Sequence, residues 1–201
     1  GNHLSVLKTH FPGNVTKPDV YGEEFAYSLS NNSSAVYATK ANSVVSTSMV
    51  ADTIEIADFN GDGIKDVFIA DAGYDTGDYV GGQNKLLFGS GSGFIDKSSN
   101  IPSTKDFTHT TAIADVDNDG DVDIYVGNLA WGNMVKPYFL VNDGRGVFTT
   151  RNLFADGFNP ALYTAAEFAD LNGDGVAELV LGGDKVDSVI LRYTNGRYEV
   201  D

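Results

Sequence analysis

Ile56–Ala70 reads IADFNGDGIKDVFIA, Ile113–Gly127 reads IADVDNDGDVDIYVG, and Phe168–Gly182 reads FADLNGDGVAELVLG. One pattern is written three times. Its first aspartates, Asp58, Asp115 and Asp170, recur roughly every 55 residues, a period that marks an array of supersecondary units. Each acidic stretch is flanked by short apolar runs of strand type: TIEIADF and DVFIA in the first, TAIADV and DIYVG in the second, AAEFADL and ELVLG in the third. Downstream, each unit has a second apolar stretch, a glycine-bearing turn and an aromatic: KLLFGSGSGFID (85–96), YFLVNDGRGVFTT (138–150) and VILRYTNGRYEV (189–200). Asn195-Gly196 between alternating residues is a strong hairpin signal. Each unit therefore reads strand, acidic loop, strand, variable loop, strand, turn, strand. Four short strands per repeat predict an all-β fold of propeller-type blades, each of four antiparallel strands.

The acidic loop has the form D-x-[ND]-x-D-G-x-x-[DE]. Side-chain oxygens stand at positions 1, 3, 5 and 9, and position 7 can offer its carbonyl. Position 6 is Gly63, Gly120 and Gly175, where a chain turning sharply around a point needs the left-handed conformation. A set of six or more hard oxygens suits calcium better than magnesium, which keeps more of its water. The first candidate site is Asp58, Asn60, Asp62, the Ile64 carbonyl and Asp66. The second is Asp115, Asp117, Asp119, the Asp121 carbonyl and Asp123. The third is Asp170, Asn172, Asp174, the Val176 carbonyl and Glu178. The second carries the most carboxylates and is expected to bind tightest, while the longer Glu178 makes the third looser. An EF-hand needs a bidentate Glu at position 12; Ile69, Val126 and Leu181 stand there instead. Solvated turn chemistry also favours Asp, Asn and Gly, but three copies with four oxygens at the same offsets exceed what turns require.

These segments resemble the FG-GAP/VCBS repeats of integrin-α-like β-propellers. The DFNGDG, DVDNDG and DLNGDG loops and the strands after them carry the resemblance, over about residues 49–200. It implies up to three structural calcium ions bracing the blades, and partners bound on one face or at the axis. The expected division is repeat 1 at 49–105, repeat 2 at 106–160 and repeat 3 at 161–201. A strand-rich segment at 1–48 would be a degenerate blade. Since propellers of this family commonly have more blades, the chain reads as a small or partial propeller, the remainder of a larger ring, or one completed by self-association.

Composition narrows the function. Lys plus Arg is 13 against 28 Asp plus Glu, a net charge of −15, which disfavours nucleic acid and anionic membranes as partners. There is no cysteine, which removes disulfides, thiolate metal sites and cysteine nucleophiles. No apolar run approaches the ~18 residues of a membrane span. Gly1 in place of an initiator Met suggests a processed chain. The variable loops hold Tyr74, Tyr79, Trp131 and Lys136. At matching repeat positions they should share one face, suited to stacking on a sugar or anchoring a protein, although a lone Trp also suits packing between blades. His109, six residues before Asp115, is either a polar group near the entrance or an ordinary strand histidine; nothing beside it in sequence completes a catalytic set. The expectation is a non-enzymatic, calcium-stabilised binding or adhesion module, located extracellularly, on a cell surface or in a periplasm. The alternatives are a lectin, or a fragment of a lyase-like polysaccharide-active enzyme.

Overall fold

The computed structural model describes residues 51–73, 79–90 and 93–201. The expected degenerate blade at 1–48, and Tyr74, lie outside the described residues. Those residues form three four-stranded antiparallel meanders and one two-stranded sheet. The first meander is β1 (Ala51–Ala57), β2 (Asp66–Asp71), β4 (Lys85–Ser90) and β5 (Gly93–Asp96), in that spatial order. The second is β7 (Thr108–Ala114), β8 (Asp123–Asn128), β9 (Tyr138–Asn142) and β10 (Phe148–Arg151). The third is β11 (Tyr163–Ala169), β12 (Glu178–Gly183), β13 (Val189–Thr194) and β14 (Arg197–Val200). β3 (Gly82–Gln83) pairs with β6 (Lys105–Asp106) beside the first two sheets. The fold is all-β, built of blade-like sheets in a propeller-like array. Ala161 and Leu162 end a single 3-10 turn, Pro160–Leu162, and the residues after them form β11. No helix among the described residues is long and apolar enough to cross a membrane.

The sheets stack face to face, with β7 packed between β1 and β11. The second strands are buried on both faces (β2 and β8 throughout), so they read as continuous apolar runs rather than alternating ones. One core lies between the first and second blades and includes Phe68, Leu86, Ile124, Leu140 and Phe148. The next lies between the second and third and includes Tyr125, Phe139, Leu179, Leu191 and Tyr198. In register, the cross-strand pairs Phe68–Leu86 and Tyr125–Phe139 face the following blade, and all four side chains are buried. The matching pair in the third blade is Val180–Ile190. There Ile190 is 40% exposed, and among the described residues no further blade covers that face.

Candidate functional site

Each acidic loop joins the first and second strands of its blade, and the three loops are folded alike. The position-1 carboxylate accepts from the glycine N–H at position 6: Asp58 from Gly63 (2.7 Å), Asp115 from Gly120 (2.9 Å), Asp170 from Gly175 (3.0 Å). The position-5 carboxylates of Asp62, Asp119 and Asp174 accept from the N–H two residues on. Gly63, Gly120 and Gly175 have φ of +84°, +96° and +88°, which accounts for glycine there. Position 9 reaches back to the N–H of position 2: Asp66 to Phe59 (2.9 Å), Asp123 to Val116 (2.8 Å), Glu178 to Leu171 (2.8 Å).

The loops differ at position 9. The second oxygens of Asp66 and Asp123 accept from Gly89 and Asn142, at the ends of the third strands. Glu178 turns its second oxygen to the Asn172 side chain (2.8 Å). The extra methylene redirects the carboxylate inside its own loop.

The second loop gathers the densest charge. Carboxylate oxygens of Asp115, Asp117 and Asp123 lie within 4.8 Å of one another; Asp119 stands outside this group. Asp123 is fully buried, and burial pushes its carboxyl up to about 7, with Asp117 and Asp119 adding repulsion. Asp117 is raised too, by desolvation and then by its neighbours Asp119 and Asp115. Asp66 is raised by burial in the first loop. Calcium–oxygen bonds of about 2.3–2.6 Å let two ligand oxygens stand up to about 5 Å apart on one ion. An all-oxygen, all-carboxylate set of this spread can hold a hard divalent cation.

The acidic loops also lock blade to blade. Phe59, at position 2 of the first loop, is 1% exposed and meets Phe148 of the second blade edge-on at 5.8 Å. The Asn142 side chain donates to the Phe59 carbonyl (2.8 Å). Val116, at position 2 of the second loop, is 1% exposed within the core shared with the third blade. Leu171, its counterpart, is 55% exposed. This plugging role escaped the sequence reading, although an apolar residue behind every first aspartate was its signal.

At the opposite end of the strands the variable loops meet. Tyr79 and Trp131 come together, with ring centroids 5.2 Å apart at 74°, and Phe107 packs against both. Trp131 is 51% exposed, so it is not simply a packing residue between blades. Lys136, also expected on that face, lines a cleft with Pro137, Phe154 and Phe158. His109 sits in β7 with Nδ1 3.3 Å from Asp52 of β1 and its ring edge-on to Phe107. Below lies a buried polar network. Asp106 accepts from Tyr138 (2.6 Å), Thr108 (3.1 Å), Asn128 (3.3 Å) and Asn84 (3.4 Å), and burial raises its carboxyl. No sequence motif marked Asp106.

Fold and loops together define a blade-repeat protein with acidic turns, one of which gathers carboxylates that could hold a metal ion. Residues 58–126 match the model of the FG-GAP-like repeat family, a span holding the first two loops and the strands between them. This match supports an FG-GAP repeat protein, and the third unit repeats the pattern outside the matched span. No curated protein matches the chain.

Proposed function

We propose that this chain is a calcium-stabilised binding or adhesion module of extracellular type that works without catalysis. The observation that carries the reading is the convergence of Asp115, Asp117 and Asp123 in a loop whose backbone geometry occurs three times. Packing such carboxylates together is repulsive, and a divalent ion supplies the opposing charge. Asp58, Asp62 and Asp66 with Asn60 would hold a second ion, and Asp170, Asp174 and Glu178 with Asn172 a third, with the carbonyls of Ile64, Asp121 and Val176 completing the three sets. Because the position-2 residues plug the next blade, filling the first two loops stiffens the joints as well as the turns. Extracellular calcium suffices for module affinities of roughly 10⁻⁴–10⁻³ M. At ~100 times its dissociation constant each ion adds about 2.7 kcal/mol.

The test is thermal unfolding of calcium-loaded protein before and after chelation, at matched ionic strength. A fall in Tm that added calcium reverses is expected. An unchanged Tm, in a sample shown to carry metal at the start, rejects the reading.

A lectin is the second reading, favoured by the half-exposed Trp131. The lyase alternative needs a base facing a groove. The His109 Nδ1 is engaged by Asp52 and its Nε2 is buried, which favours binding over turnover.

A further inference from the structure

We propose that Asn142 couples the first two acidic loops, so that a divalent cation held by one raises the affinity of the other. The inference rests on the calcium reading above and adds to it a positioning residue that touches neither ion.

The two loops are joined by a continuous chain of hydrogen bonds. At one end the Asp66 carboxylate accepts from the Phe59 N–H (2.9 Å). The Phe59 carbonyl accepts from the Asn142 side-chain amide (2.8 Å), 83 residues away in sequence. At the other end the Asn142 main-chain N–H donates to Asp123 (2.8 Å). Asp66 and Asp123 hold position 9 of their loops, so the chain runs from one candidate ligand to the other.

Asn142 is firmly held. It is 4% exposed. Its side-chain amide donates to the carbonyls of Phe59 (2.8 Å) and Val122 (3.1 Å), and its oxygen accepts from the Gly146 N–H (3.0 Å). Two carbonyls on one side and an N–H on the other leave a single orientation for the amide. Losing any of these partners would strand a buried polar group, so a shift of Phe59 carries Asn142 with it.

The packing around this chain has little slack. Phe148, the cross-strand partner of Asn142, meets the Phe59 ring edge-on at 5.8 Å. The turn between β9 and β10 is wedged between the loops. A Cβ on Gly61 of the first loop would fall 3.4 Å from the Gly144 carbonyl, and one on Gly144 would fall 2.5 Å from the Asp121 carboxylate of the second.

Strand register makes the device particular to the second blade. Leu87, Leu140 and Leu191 stand opposite Val67, Ile124 and Leu179; two residues further on are Gly89, Asn142 and Tyr193. Of the three, only Asn142 has two amide protons to give. When Asp66 ligates a cation, Phe59 and then Asn142 lose freedom. Asp123 is ordered before its own loop fills, and filling that loop costs less. Linkage makes the effect reciprocal.

Titration calorimetry with calcium tests this. Asp174→Asn first disables the third loop. In that parent the overall two-ion constant is compared with the product of the single-loop constants, measured after Asp62→Asn for the second loop alone and after Asp117→Asn for the first alone. These three aspartates are exposed, so the core is untouched. The ratio should be about fivefold and should fall to about one when Asn142→Ala is added. Charge effects of the Asp→Asn changes enter both backgrounds and cancel. Asn142→Asp keeps the shape and the Gly146 bond but gives Phe59 no proton; it should also bring the ratio to about one, and it serves where alanine weakens folding. A parent that fills only one loop, shows a ratio of one, or keeps its ratio through both Asn142 substitutions overturns the coupling and spares the calcium reading. No calcium binding at all overturns both.

Discussion

Asp123 carries two duties that pull its proton in opposite directions. It is fully buried and takes backbone N–H bonds from Val116 and Asn142, yet burial still lifts its carboxyl to about 7. With no cation, the folded state holds that proton more tightly than the unfolded chain does. Metal-free stability should therefore fall as pH rises from about 4 to about 7, and level off above. Calcium needs the ionised form, so its affinity should run the other way. Titration calorimetry should find binding about tenfold weaker at pH 6 than at pH 7.5, with proton release visible as a dependence on buffer ionisation enthalpy; a pH-independent affinity would contradict the assignment. Asp117→Asn should weaken calcium binding at the second loop, and Lys65→Ala should not, because Lys65 is an exposed residue of the first loop. Tyr125 illustrates a different cost. It is fully buried with an Oη that has no hydrogen-bond partner among the described residues. Tyr125→Phe removes that burden and should leave stability unchanged or raise it by up to about 1 kcal/mol in urea unfolding. A loss would reveal a partner for the hydroxyl.

The acidic loop is the element whose form was most legible beforehand. Its aspartates, glycines and strand flanks act over nine residues, and local hydrogen bonds reproduce the same turn in all three copies. The partner of position 9 was not legible: Gly89 and Asn142 belong to third strands, about twenty residues on, and no offset rule identifies them. The position-2 plug was equally hidden. Phe59 and Leu171 occupy the same slot, one buried and one 55% exposed. Phe59→Ala should cost about 3–5 kcal/mol, as large-to-small core changes do, whereas Leu171→Ala should stay within about 0.5 kcal/mol. Denaturant melts of the two variants side by side decide this, and equal losses would mean that the Leu171 face is covered in solution. Gly120→Ala meets no atom within 4 Å and should lose only the left-handed backbone cost, about 1–2 kcal/mol.

For the molecule as a whole, the blade array makes stability cumulative. Each joint pairs an apolar cross-strand couple with a loop plug, and the first joint adds polar ties: Thr53 with Thr111 (2.7 Å), and Thr111 donating to Glu55 (2.7 Å). Glu167 stands in the third blade where Glu55 stands in the first, and it is exposed, as are Leu171 and Ile190. The forward face of that blade thus keeps the parts of a joint without a neighbour among the described residues to complete it. Sheets left open in this way are prone to association, so light scattering should show any self-association suppressed by Ile190→Arg.

The residue order alone settled what short-range chemistry can settle. Strands were set by alternating or continuous apolar runs, turns by Asn, Asp and Gly, and the oxygen-lined loops by aspartates at fixed offsets, because each of these acts within one unit. Tertiary structure decided what lies between units. It paired Asp52 with His109, closed the cage around Asp106, assembled Tyr79 with Trp131, and buried two loop plugs but left the third in water. Those outcomes depend on which blade face meets which, across separations of tens of residues, and a local sequence pattern carries no record of its distant neighbour.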